Sequence, residues 1–236
     1  MNPIPDNLSQ VHRRIRSACA EHQRDHRNIN LIAVSKTKST ADVASALAAG
    51  QSHFGENYLQ EATLKIAALP AAQWHFIGAI QSNKTRIIAE KFSYVHGVSN
   101  FKIAKRLNDQ RPPALPPLGI FFQVNIDDEA TKSGASADRL GDLIHRCNTL
   151  SRLSLMGLMA IPRPSQDFQT QRTGFAKLAL LRQSISSQLD LPSFTELSMG
   201  MSGDLEAAIA EGATWVRIGT AIFGARATTT SPSKVT

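Results

Sequence analysis

Eight short apolar runs of strand-like length recur along the chain, most of them separated by stretches with helical periodicity, and this alternation restricts the fold more than any other feature. The runs lie at 29–34, 51–54, 73–77, 94–98, 119–124, 153–159, 194–197 and 214–218. Eight strand-then-helix units in about 200 residues fit a closed (β/α)8 TIM barrel better than an open α/β sheet. A helix precedes the first unit. It places Leu8, Val11, Ile15 and Cys19 on one face and Arg13, Arg14, Arg16, Glu21 and Arg24 on the other, which reads as a solvated outer surface. Ser39 and Asp42 form a capping-box pattern at the start of the next helix, which Gly50 closes. The Pro-rich stretch at 111–117 suits a rigid connection into the fifth strand. Residues 1–226 therefore read as one barrel domain, and the Thr/Ser-rich residues 227–236 as a disordered tail.

Composition narrows the partners. The 236 residues are 42% hydrophobic and 19% charged, as in ordinary soluble domains. Lys+Arg 26 against Asp+Glu 19 gives a net charge of +7, which favours an anionic partner without choosing one. A nucleic acid would be expected to meet clustered basic residues interleaved with aromatics; here they are scattered, so nucleic-acid binding is not expected. Cys19 and Cys147 lie far apart with no zinc-type spacing, so they read as reduced, buried thiols and no metal site is expected. The first residues lack a basic, apolar-cored leader, and no apolar stretch approaches the roughly 18 residues of a membrane span. A cytoplasmic location is the expectation.

In a barrel of this kind, function collects where strands end. Lys36 directly follows the first strand, where its stem would rest on packed side chains. Partial desolvation favours a neutral lysine amine, the form that condenses with a carbonyl to a Schiff base; the alternative is a snorkelling surface charge. The last two strand ends carry Met199-Gly200-Met201-Ser202-Gly203-Asp204 and Arg217-Ile218-Gly219-Thr220. Small residues, the hydroxyls of Ser202 and Thr220 and exposed backbone amides suit a phosphate, although the glycines could simply serve turns. A lysine able to form an imine beside a phosphate cradle is what pyridoxal 5'-phosphate requires. Arg217 would face the cofactor ring and disfavour protonation of its nitrogen, leaving a weak electron sink; a rim salt bridge is its other reading.

Seven segments carry a family resemblance: Ala33-Val34-Ser35-Lys36-Thr37-Lys38, Phe54-Gly55-Glu56-Asn57-Tyr58, His75-Phe76-Ile77-Gly78, Gln81-Ser82-Asn83-Lys84, Gly157-Leu158-Met159, Ser198-Met199-Gly200-Met201-Ser202 and Arg217-Ile218-Gly219-Thr220. In this order they resemble the pyridoxal phosphate homeostasis proteins, the YggS/PROSC family. The resemblance implies a single barrel of the alanine-racemase N-terminal type (fold type III of pyridoxal phosphate proteins), with Lys36 as the Schiff-base lysine. It implies phosphate contacts from Ser202, Gly219 and Thr220, a ring-nitrogen contact from Arg217, and cofactor-pocket positions for Asn57, His75, Met159 and Met199. Lys38 and Lys132 resemble family lysines implicated in cofactor handling, and each could equally be a surface lysine. The chain departs from the pattern at Gly78-Ala79-Ile80-Gln81, where many members have Gly-Pro-Leu-Gln, and its tail keeps only Lys234 of a basic ending.

Fold-related racemases flank the substrate with the lysine and a tyrosine from a second domain. This chain reads as the barrel alone, and neither Tyr58 nor Tyr94 can be assigned the second base. The expectation is a monomeric carrier that holds pyridoxal phosphate on Lys36 and releases or transfers it, with apo-enzymes that require the cofactor as partners. A pyridoxal-phosphate-dependent amino-acid racemase is the alternative.

Overall fold

The structure is a computed structural model that describes residues 3–127, 129 and 133–225. Its strands are β1 (Asn30–Val34), β2 (His53–Glu56), β3 (Gln73–Phe76), β4 (Tyr94–Val98), β5 (Leu118–Gln123), β6 (Leu153–Met159), β7 (Glu196–Ser198) and β8 (Trp215–Ile218). All pair in parallel in sequence order, and β1 closes on β8 with Asn30 opposite Trp215 and Ala33 opposite Ile218. The expected barrel and its eight strands are thus present. The second strand runs further than its apolar run, because Gly55 and Glu56 continue the ladder into β3. The expected tail at 227–236 lies outside the described residues.

One helix, α1 (Ile4–Glu21), precedes β1, and one follows each strand in turn: α2 (Thr40–Ala48), α3 (Leu59–Ala68), α4 (Thr85–Lys91), α5 (Phe101–Gln110), α6 (Ala137–Cys147), α7 (Phe168–Gln188), α8 (Leu205–Ala210) and α9 (Thr220–Phe223). The reciprocal Ser39–Asp42 capping box opens α2, and Gly50, at φ 92°, ends the turn after it. The α1 stripe of Leu8, Val11, Ile15 and Cys19 is buried together with Ile4 and Ala18, and the helix lies across α2, α8 and α9. Two arginines expected on the outer surface, Arg14 on α1 and Arg24 just after it, are engaged. Arg14 grips Glu206 through Nε and Nη2 at 2.8 and 2.9 Å and donates to Ser202 O at 3.0 Å, while Arg24 donates to the carbonyls of Ile209 and Ala213.

Alternation along the strands sorts side chains into two layers. Outward residues such as Leu31, Ala33, Phe54, Ile120 and Val216 join the helices in the main core. Inside the barrel, Ile32, Phe121, Met159 and Trp215 make a smaller apolar cluster with Tyr94 and Met156. Gly119 leaves room for this packing, since a Cβ there would lie 2.5 Å from the Tyr94 ring. Both cysteines are free and buried, and burial pushes the Cys147 thiol up to about 12.

Candidate functional site

Lys36 stands in a tight turn at the end of β1. The Lys38 N–H donates to Ser35 O at 3.0 Å, and Thr37 adopts φ 64°, the left-handed region that a β-branched residue enters only when its surroundings hold it there. Those surroundings are specific. Ser35 Oγ donates to Glu56 Oε1 at 2.6 Å, Lys65 Nζ donates to the same oxygen at 2.7 Å and to Ser35 O at 2.8 Å, and Thr37 N–H donates to Glu61 Oε2 at 2.9 Å. Both neighbours of Lys36 are therefore tethered to α3 or β2. Burial raises the Glu56 carboxyl above its ordinary range despite the opposing pull of Lys65 and Ser35, and its Oε2 has no hydrogen-bond partner among the described residues.

The turn opens onto a cleft of about 360 Å³ at the barrel mouth, lined by Lys36, Lys38, Asn57, Ser202, Arg217, Gly219 and Thr220 together with Val34, Ile77, Ile161, Met201, Gly203 and Gly224. Among the described residues its lining carries three cationic side chains and no carboxylate. The β7 and β8 ends supply one wall: Met201 N–H donates to Asp204 Oδ1, and Arg14 clamps the Ser202 carbonyl from outside. A Cβ on Gly203 or Gly224 would meet none of the described residues within 4 Å. Asn57 brings a buried Oδ1 that has no hydrogen-bond partner among the described residues.

Arg217 is buried at the floor. Its Nη1 donates to Ser198 O and Ser198 Oγ, both at 2.7 Å, and its Nη2 to Ala160 O at 3.1 Å. Burial lowers its pKa to about 10, with Asp204 opposing the shift, so it remains a cation at neutral pH. Among the described residues its partners are these carbonyl and hydroxyl oxygens, not the carboxylate of a rim salt bridge.

Of the expected site residues, Lys36, Asn57, Ser202, Arg217, Gly219, Thr220 and Lys38 come together at this mouth. Lys38 is heavily engaged there: its Nζ donates to the carbonyls of Phe223, Gly224 and Ala225 at 3.0, 3.1 and 2.9 Å, capping the end of α9. Three other expected pocket residues do not line the cleft. Met199 follows the inward-facing Ser198, so strand alternation sends it outward into the helix layer. Met159 faces inward but lies beneath the cleft against Ile32, Phe121 and Trp215. His75 is fully buried in the barrel, hydrogen-bonded to His53 and His96. Lys132 lies outside the described residues. The residues that sequence reading missed are Ile77, Ile161 and Met201, which follow strand ends, and Glu56, Lys65, Ser198 and His96, whose partners are remote in sequence.

A closed parallel barrel with an amine after its first strand and an anion-suited wall after its last two defines the class of alanine-racemase-type barrels, and the family model "Alanine racemase, N-terminal domain" matches residues 7–227. Within that class the chain belongs to the pyridoxal phosphate homeostasis protein family. It is 53% identical over 229 residues to the pyridoxal phosphate homeostasis protein of Pseudomonas aeruginosa, covering 96% of this chain and 97% of that one. It superposes with TM-score 0.82 and 34% identity on PipY of Synechococcus elongatus solved with pyridoxal phosphate bound, covering 94% of this chain and all of PipY. Alanine racemase of Corynebacterium glutamicum shares the fold alone, with TM-score 0.70 at 12% identity over 94% of this chain and 62% of the racemase.

Proposed function

We propose that this protein holds pyridoxal 5'-phosphate at the barrel mouth on Lys36 and releases or hands it on, serving cofactor homeostasis. The observation that carries the reading is the cleft itself: the Lys36 amine on a braced turn, a buried arginine on the floor and a hydroxyl- and glycine-bearing wall, with no carboxylate among the described lining residues. The residues fit the cofactor. When bound, pyridoxal phosphate supplies an aldehyde that condenses with a primary amine, a phosphate dianion and a pyridine nitrogen. Lys36 would take the aldehyde, Ser202, Gly219 and Thr220 the phosphate, and Arg217 the ring nitrogen; the unpartnered Asn57 Oδ1 offers an acceptor to the ring's polar substituents.

A carrier follows better than a racemase from what these side chains do. Arg217 can only donate, so a nitrogen facing it stays unprotonated and cannot drain electrons strongly from a substrate. Stereochemical inversion also needs a base on each face. Lys38, the second lysine at the mouth, is occupied by three carbonyl oxygens. We further propose action in the cytoplasm, as a monomer, with apo-enzymes that require pyridoxal phosphate as recipients. Among the described residues no helix is long and apolar enough to cross a membrane.

The test mixes cofactor-loaded protein with such an apo-enzyme in the presence of a scavenger of free pyridoxal phosphate. Restored activity is the expected result, and complete interception by the scavenger would sink direct transfer. Solvent deuterium incorporation at the α-carbon of a panel of amino acids decides the racemase alternative; fast exchange into any of them overturns the carrier reading.

A further inference from the structure

A line of polar side chains crosses the apolar interior of the barrel. From Arg217 Nη1 it passes to Ser198 Oγ at 2.7 Å, from Ser198 Oγ to His96 Nδ1 at 2.8 Å, from His96 Nε2 to His75 Nδ1 at 2.9 Å, and from His75 Nε2 to His53 Nδ1 at 2.9 Å. Ser198 ends β7 at the mouth, whereas His53 begins β2 at the opposite end of the barrel. The line therefore runs from cleft to base. Ser198, His75 and His96 are fully buried, and His53 is half-buried.

Donor counting sets its direction. Arg217 can only donate, so Ser198 Oγ accepts from it and must place its own single proton elsewhere. The His96 Nδ1 is the neighbour in reach, and burial makes an idle hydroxyl proton costly. An accepting Nδ1 leaves the His96 proton on Nε2, which donates to His75 Nδ1; the same logic puts the His75 proton on Nε2 and aims it at His53 Nδ1. Every bond then points away from the mouth. Burial and, for His96, the nearby Arg217 charge lower the pKa values of His75 and His96 far below the ordinary histidine value, consistent with neutral rings. Tyr94 stacks on His75, 4.4 Å between centroids and 11° from parallel, and Phe121 on His96, 4.2 Å and 15°, so each imidazole's plane is fixed by an aromatic face.

We propose that Ser198, His96, His75 and His53 are positioning residues for Arg217: a one-way hydrogen-bonded chain of Nε2-protonated imidazoles that fixes the guanidinium's orientation and keeps its remaining N–H donors for the cleft. Two donors on Nη1 and one on Nη2 are used below the floor, which leaves the Nε and second Nη2 protons of the five for a ligand acceptor. The functional part of this inference rests on the reading of Arg217 as the ring-nitrogen contact, while the tautomer pattern does not.

Long-range proton–nitrogen correlation spectra of ¹⁵N-histidine-labelled protein, without cofactor, test the chain directly. His53, His75 and His96 should each show a protonated Nε2 and a bare Nδ1 at neutral pH. Ser198→Ala should mix the tautomers of His96 and His75, shift the visible band of added pyridoxal phosphate and weaken its binding roughly three- to tenfold, the value of about one hydrogen bond. At the half-buried far end, His53→Gln keeps an acceptor and should preserve the pattern, whereas His53→Leu should disturb it in a chain that melts cooperatively. A protonated Nδ1 on His96 in the unmodified protein overturns the proposal, as does a Ser198→Ala protein with unchanged tautomers and an unchanged spectrum. If pyridoxal phosphate fails to bind the unmodified protein, the proposed function fails and the apo tautomers still decide the chain.

Discussion

Lys65 Nζ and Glu56 Oε1 meet at 2.7 Å with both side chains buried, directly beneath the turn that carries Lys36. Desolvation of the two groups offsets much of their Coulomb attraction. What it does here is geometric. Lys65 also holds the Ser35 carbonyl, so the pair ties α3 and β2 to the residue before Lys36.

Removing one partner alone should be costly. Lys65→Met leaves a buried Glu56 without its cation and is expected to lower unfolding stability by about 3–5 kcal/mol in denaturant titration. The double change with Glu56→Gln should recover a large part of that loss. Equal destabilisation by the single and the double variants would refute the pairing.

Lys36→Ala addresses chemistry with little effect on the fold, since the side chain lies half exposed in the cleft. The visible band of lysine-bound cofactor should vanish, while the denaturation midpoint moves by an amount worth no more than about 0.5 kcal/mol. Persistence of the band would sink the assignment of Lys36.

The buried histidines predict acid sensitivity. His75 and His96 are depressed in the folded state, so between their folded values and about 6.5 the unfolded chain binds more protons than the native one. Stability conferred by their neutral burial is full above that range and declines as pH falls through 6.5, by up to ~1.4 kcal/mol per pH unit for each ring. Glu56 acts oppositely: its raised carboxyl makes the native state bind more protons, so its contribution falls as pH rises above 4.5. Denaturant titrations between pH 4.5 and 7 should show the histidine slope dominating, and Glu56→Gln should steepen it. A flat profile would contradict neutral burial.

Lys38→Met should loosen the end of α9. Loss of three charge-assisted bonds on a partly exposed lysine is expected to cost about 1 kcal/mol. Hydrogen exchange at the amides of 222–224 should speed up, and phosphate-site affinity should fall several-fold. Unchanged exchange there would show that the three carbonyl contacts do not hold the segment.

Gly157 leaves no space for a side chain, because an added Cβ would fall on the Glu196 carbonyl of the neighbouring strand. Gly157→Ala is expected to destabilise by more than about 3 kcal/mol or to prevent soluble expression, and a melting temperature near that of the unmodified protein would contradict the close strand approach.

Much of this architecture was legible locally. Strand runs, the stripe on α1, the Ser39–Asp42 cap and the placement of Lys36, Asn57, Ser202, Arg217, Gly219 and Thr220 at strand ends all follow from patterns a few residues long. The limits of such patterns are local too. A motif places Met199 at a strand end, and one step of strand alternation past Ser198 turns its side chain outward into the helix layer. Arg14 was expected on an outer face, and only the packing of α1 on α8 brings Glu206 and the Ser202 carbonyl to it.

Sequence alone determined that the chain alternates strand and helix in eight units, the pattern that suits an eightfold barrel, and that Lys36, Asn57, Ser202, Arg217, Gly219 and Thr220 stand at strand ends, because periodicity and strand termini are encoded by neighbours. Tertiary structure decided what those side chains rest on. His96 and Ser198 are 102 residues apart and Lys65 and Ser35 are 30 apart; no local pattern couples them. Barrel closure puts such residues at hydrogen-bond distance, and the low polarity of the enclosed interior then makes each satisfied bond directional and each lost one expensive.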